Sequence, residues 1–238
     1  MGGTMADESK KSHGMQDLLQ QGIAFYKQKR YTDSLSFFLG LPADASVDSI
    51  ELAYYIGLCY AKLERWEDAL LYLEQVVTSG TELDRVLQCR FLLAVIYALS
   101  GRKRLAEFEL NKLLETGYQT ASVYAAIAYV AWEQNDVEKS LQYYEKSLEA
   151  DPENLTSLNG MGYVLACENK DLTKALSYCK KATEAEPKSA ACLDSLGWVY
   201  FKLGLLKEAK KYLDEAQKLD GGNEIIREHM RQISAFRE

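Results

Sequence analysis

Small residues recur along the chain inside otherwise apolar, helically spaced runs, at a period near 34 residues. In "SLGWVYFKLGLLKEAKKYLDEAQKLD", Ser195 to Asp220, Gly197 stands early in the run, with Ala209 and Ala216 after it. Glycine inside a helix costs about 1 kcal/mol relative to alanine, so Gly197 predicts a close neighbour. Gly162 lies 35 residues upstream, Ala128 and Ala94 follow at steps of 34, and Gly57 and Gly22 at steps of 37 and 35. A second small residue follows each by 12 positions, or 13 after Gly162: Ser34, Ala69, Ala106, Ser140, Ala175 and Ala209. Seven further on, Ser147, Ala182 and Ala216 are small again in the last three units, whereas Leu41, Val76 and Leu113 fill that place in the first three. Polar breakers such as "LERW", "SGRK", "EQND" and "CENKD" divide each unit in two. The pattern predicts helix, short turn, helix, repeated six times. The small residues sit where the paired helices cross, because they admit the close end of the roughly 8–10 Å range of axis separations.

This pattern resembles the tetratricopeptide repeat family, most specifically over "YYEKSLEADPENLTSLNGMGYVLACENKDLTKALSYCKKATEAEPKSAACLDSLGWVYFKLGLLKEAKKYLDEAQKLD". There Pro152 and Pro187 stand where the family commonly opens the next first helix. The resemblance implies an all-α fold, a right-handed α-solenoid of about six helix-turn-helix repeats at 15–48, 50–83, 87–120, 121–154, 155–189 and 190–223. The first unit departs from the pattern, since Pro42 would shorten its second helix. Residues 1–14 are expected to form a flexible tail, of which 1–4 read as a vector-derived leader with Met5 the natural start. A C-terminal capping helix is expected over 224–238: Asn223 follows the Gly221-Gly222 break as its N-cap, and Ile226, Met230 and Ile233 share one face. That face would cover the apolar side left open by the sixth repeat.

Charge and chemistry narrow the function. The net charge of −7 argues against a general phosphate-binding surface, so no nucleic-acid partner is expected. No run of about 18 apolar residues predicts a membrane span. The N-terminus has no signal-peptide core, and Ala6 breaks the myristoylation pattern, so a cytoplasmic location is expected. The five cysteines are odd in number and include no C-x-x-C pair, which reads as small buried hydrophobes in a reducing compartment. His13 and His229 fall in the tail and the last helix, outside the expected groove. No Walker loop, H-E-x-x-H or G-x-S-x-G occurs, so no catalytic residue, metal site or cofactor is predicted.

In the resembled family the first helices line a concave groove, chiefly through positions two, five, nine, twelve and thirteen. Carried across, the groove residues are Tyr54 and Leu58, Phe91 and Val95, Tyr129 and Trp132, Asn159 and Tyr163, and Asp194, Trp198 and Phe201. No Lys or Arg occupies position five or nine, so the family's clamp for a C-terminal carboxylate is not expected. Aromatic anchors instead suit the apolar stripe of an amphipathic helix or an extended peptide. Trp198 and Tyr163 are the expected anchors, whose loss would weaken binding far more than stability, with Asn159 and Asp194 fixing direction. The resemblance thus implies a non-enzymatic protein-protein interaction adaptor. The alternatives are an assembly subunit using convex or edge surfaces, or self-association, with the groove covered by the N-terminal tail or a second copy.

Overall fold

A computed structural model describes residues 18–42 and 47–236, and every regular element among them is an α-helix. The expected flexible tail lies outside the described residues. Helices α1 (18–27) and α2 (Tyr31–Leu39), α3 (Ser49–Lys62) and α4 (Trp66–Ser79), and α5 (Leu83–Leu99) and α6 (Lys103–Glu115) form three antiparallel pairs. Three more pairs follow: α7 (Ala121–Glu133) with α8 (Val137–Ala150), α9 (Leu155–Cys167) with α10 (Leu172–Ala185), and α11 (Ala190–Lys202) with α12 (Leu206–Leu219). A last helix, α13 (Glu224–Ala235), closes the series. The chain divides into two compact units, one up to Tyr118 and one from Gln119 on.

The small residues lie at the crossings. Ser34, Ala69, Ala106, Ser140, Ala175 and Ala209 are all at 0% exposure. A methyl group added at Gly197 would meet Leu213 Cγ at 2.7 Å and the Ala209 carbonyl at 3.2 Å; one at Gly162 would meet Cys179 Sγ at 2.5 Å. In the first pair Ser34 Oγ donates to the Gly22 carbonyl at 2.8 Å and is satisfied across the crossing, whereas Ser140 Oγ is buried without a hydrogen-bond partner.

Each intra-repeat turn holds a residue in the left-handed region two past the end of its first helix, Lys29, Glu64, Gly101, Asn135, Asn169 and Gly204, and the turn before α10 holds a second, Asp171. A side-chain-bearing residue pays roughly 1–2 kcal/mol for this conformation, least for asparagine, so glycine relieves it. Glu64→Gly is therefore expected to raise the melting temperature, and Gly204→Ala to lower it; thermal unfolding by circular dichroism reads both.

The inter-repeat turns differ from the expectation in one detail. Pro152 and Pro187 do not open the next helix but stand in tight turns before it, closed by Asn154 N–H to the Asp151 carbonyl at 3.1 Å and Ser189 N–H to the Glu186 carbonyl at 3.1 Å. Proline's fixed φ suits the second place of such a turn. This leaves Asn154 and Ser189 free to cap α9 and α11 through their side chains. In the first unit α5 begins at Leu83, and Arg85 in its first turn pairs with Glu51 at 2.7 Å and Glu82 at 3.1 Å.

Candidate functional site

In the second unit, the first helices α7, α9 and α11 present one row of side chains, backed by a core containing Ala128, Val164, Leu196 and Val199. Small residues beneath the row, Ala125 at 1% and Ala128 at 0% exposure, let the helices approach and leave the aromatic residues above them. A groove of about 420 Å³ opens there. Tyr129, Trp132, Asn159 and Tyr163 line it together with Glu133, Thr156, Glu186, Ser189 and Asp194, and Asn223 and Ile225 supply a wall from the start of α13. Tyr129 is exposed at 36%, while Trp132, Asn159 and Tyr163 are half-buried. The Trp132 and Tyr163 rings meet edge to face at 6.0 Å. Burial pushes the phenols of Tyr129 and Tyr163 up from their ordinary value, so both are neutral hydroxyls at physiological pH.

The charge of the groove is one-sided. Glu133, Glu186 and Asp194 line it, and no Lys or Arg does so among the described residues. Asn159 Oδ1 is buried without a hydrogen-bond partner. The three helix N-termini that reach the groove are capped by neutral side chains, Asn154, Ser189 and Asn223. Among the described residues no three His, Cys, Asp or Glu side chains gather to hold a metal ion.

One stretch of the expected groove is covered by the chain itself. His229 of α13 is not outside the groove row, as expected from its place in the last helix, but seated in it. Its ring stacks on Trp198 at 4.0 Å and 16°, and its Nδ1 lies 2.9 and 3.0 Å from the two carboxylate oxygens of Asp194. Trp198 and Asp194 are each 5% exposed, so neither is an open anchor. The expectation that Trp198→Ala would spare stability is corrected: this indole belongs to the core, and Lys202 Nζ lies 4.8 Å over its ring. Asp194 is likewise spoken for by His229. Phe201, half-buried, packs between Trp198 and Phe236. The missed signal was present in the sequence, because Ile226, His229, Met230 and Ile233 share one helical face and His229 is the polar member of it.

In the first unit Tyr54, Leu58, Phe91 and Val95 are half-buried. The Tyr54 hydroxyl donates to Gln88 Oε1 at 2.5 Å, and the Arg85 guanidinium lies 5.3 Å over its ring. These contacts tie α3 to α5, so part of Tyr54 serves packing between neighbouring first helices. All five cysteines are free, four are buried, and Cys167 is half-buried. Burial raises every one of the five thiols, Cys89 to about 12, which keeps them protonated and unreactive.

Three sequence models, each described as tetratricopeptide repeat, match residues 51–79, 125–190 and 166–232. The chain is a tetratricopeptide repeat protein. Solved tetratricopeptide repeat structures share its fold. One from Parabacteroides merdae superposes with a TM-score of 0.68 at 14% identity, over 91% of this chain and 83% of that one. A chain of the APC/C hetero-tetramer Cut9-Hcn1 gives 0.74 at 12% identity, over 92% of this chain and 42% of that one. YrrB, a tetratricopeptide repeat protein with an unusual peptide-binding site, gives 0.51 at 18% identity, over 77% and 92%. At these identities the likeness is one of fold. A search of curated protein sequences finds no match. Tetratricopeptide repeat proteins generally mediate protein-protein interaction, and the fold is typically a non-enzymatic scaffold. No helix among the described residues is long and apolar enough to cross a membrane.

Proposed function

We propose that this tetratricopeptide repeat protein is a non-enzymatic, cytoplasmic adaptor that holds a helix or extended peptide of a partner protein in the groove of its second unit. The observation that carries this reading is the groove itself, with Tyr129 exposed and Trp132 and Tyr163 offering ring surface beside a buried acceptor on Asn159. Aromatic side chains of this kind supply most of the energy at peptide interfaces, with modest loss of side-chain freedom. Tyr129, Trp132, Asn159 and Tyr163 are the contact residues; Trp198 and Asp194 act indirectly, by seating α13 so that Asn223 and Ile225 complete the wall. In the first unit Phe91 and Val95 remain candidates for a secondary contact.

Affinity capture from native extract tests the proposal, with the captured partner then titrated against variants. Tyr129→Ala, at an exposed position, is expected to leave the fold intact by circular dichroism and to weaken binding by about 2 kcal/mol, roughly thirtyfold. A partner bound with unchanged affinity by Tyr129→Ala and Trp132→Ala would place the contact elsewhere. A specific observation favours one second reading, an assembly subunit binding through its outer helices: Leu71 on α4 and Leu105 and Phe108 on α6 are 66%, 48% and 53% exposed. That reading expects Leu71→Asp or Phe108→Asp, not Tyr129→Ala, to release the partner.

A further inference from the structure

The chain displays, at one place, how its groove row holds a guest side chain. His229 fills the slot between Tyr163 and Trp198, its ring 5.9 Å from the first and 4.0 Å from the second, with Nδ1 on the Asp194 carboxylate at 2.9 Å. One repeat upstream the same slot recurs. A step of 35 residues carries Trp198 to Tyr163 and Asp194 to Asn159, and a step of 34 carries Tyr163 to Tyr129. His229 does not line this second slot, where α13 contributes only its N-terminal end, through Asn223, Ile225 and Ile226. The slot lies in the groove, which Asn159 also lines with an Oδ1 that is buried without a partner.

We propose that the Tyr129–Tyr163 slot receives an arginine side chain of the partner peptide; this rests on the groove reading above and names its ligand chemistry. Three features select arginine. Tyr129 and Tyr163 both line the groove and offer rings on which a flat group can stack, as the imidazole stacks on Trp198 one repeat on. The Asn159 acceptor calls for a donor. The charged residues lining the groove are all acidic; with Asp194 held by His229, Glu133 and Glu186 are the two whose charge favours a cation and opposes a carboxylate. The helix N-termini nearby do not reverse this preference, because each already donates at least one first-turn amide to its neutral cap and a helix end carries only about half a charge. A guanidinium combines the plane, the donors and the charge, whereas a lysine ammonium has no plane to stack.

The test pans the full chain against a random dodecapeptide phage library and then measures fluorescein-labelled copies of the enriched peptides by anisotropy. Enriched sequences are expected to share an arginine. Its replacement by citrulline, a neutral analogue of the same shape, should weaken binding at least tenfold to the wild-type chain, but less than threefold to a Glu133→Gln/Glu186→Gln variant. Asn159→Ala should lower affinity for the arginine peptide, with circular dichroism confirming the fold. Enriched peptides without arginine, or indifferent to citrulline, overturn the arginine assignment; if Tyr129→Ala still weakens those peptides, the groove reading survives. Peptides that bind Tyr129→Ala as well as wild type, or a library that yields no binder, overturn both.

Discussion

Asp194→Ala is expected to destabilise the second unit by about 3–5 kcal/mol, the usual cost of removing one member of a buried, hydrogen-bonded pair. The side chains of His229 and Asp194 are only 6% and 7% exposed, so the imidazole left behind has no water to replace its acceptor. His229→Ala strands a buried carboxylate and should be comparably damaging. The two losses should not add, because they break the same contact. A double variant, Asp194→Leu with His229→Leu, should recover much of the stability if the leucines fill the space, since an apolar pair in place of a buried polar one is often neutral or better. Urea denaturation measures all four chains. Hydrogen exchange adds the location: in Asp194→Ala the amides of Glu224–Ala235 should lose protection first, because α13 is held at the groove row through His229. Additive losses, or unchanged exchange in α13, would mean that the helix is seated by Ile226 and Ile233 alone.

Ala209→Leu carries the second large effect, a loss at the upper part of the roughly 1–3 kcal/mol range for overpacked cores. Ala209 is at 0% exposure, and its carbonyl lies 3.2 Å from where a methyl on Gly197 would stand, with Leu213 beside it. Three extra carbons there must push α11 and α12 apart or force Leu213 off its rotamer. The neighbouring Lys210 is exposed, so Lys210→Leu should change stability by less than about 0.5 kcal/mol. Thermal melts of the two variants separate them, and equal shifts would contradict the helix crossing described for this pair.

The crossings were the most legible part of the sequence, because a glycine or alanine at a helix contact answers to a steric limit that few other residues meet. Gly22, Gly57, Gly162 and Gly197 all stand where a methyl group would come within 3.0 Å of a neighbouring side chain. The turns were legible as breakers but not in their detail. Lys29 and Glu64 adopt the same left-handed conformation as Gly101 and Gly204, and nothing in lysine or glutamate announces it. The groove was legible only in part. Periodicity identifies which positions of α7, α9 and α11 share a face, yet it cannot say which of them a later element will cover. Trp198 and Asp194 looked equivalent to Tyr163 and Asn159, and the difference between them is made by His229, reached only once α13 folds back. Glu133 and Glu186 join the lining from helix ends, where the spacing of groove positions gives no warning of them.

The most direct measurement of the groove assignment is site-specific crosslinking. A photoreactive benzoylphenylalanine placed at Tyr129, in the groove, and separately at Leu71, on the outer face of α4, reports which surface touches the captured partner. Crosslinking from position 129 with none from 71, lost when unlabelled partner peptide competes, is the expected result. Crosslinking from position 71 with none from 129 would contradict the groove assignment and make the outer helices the binding surface.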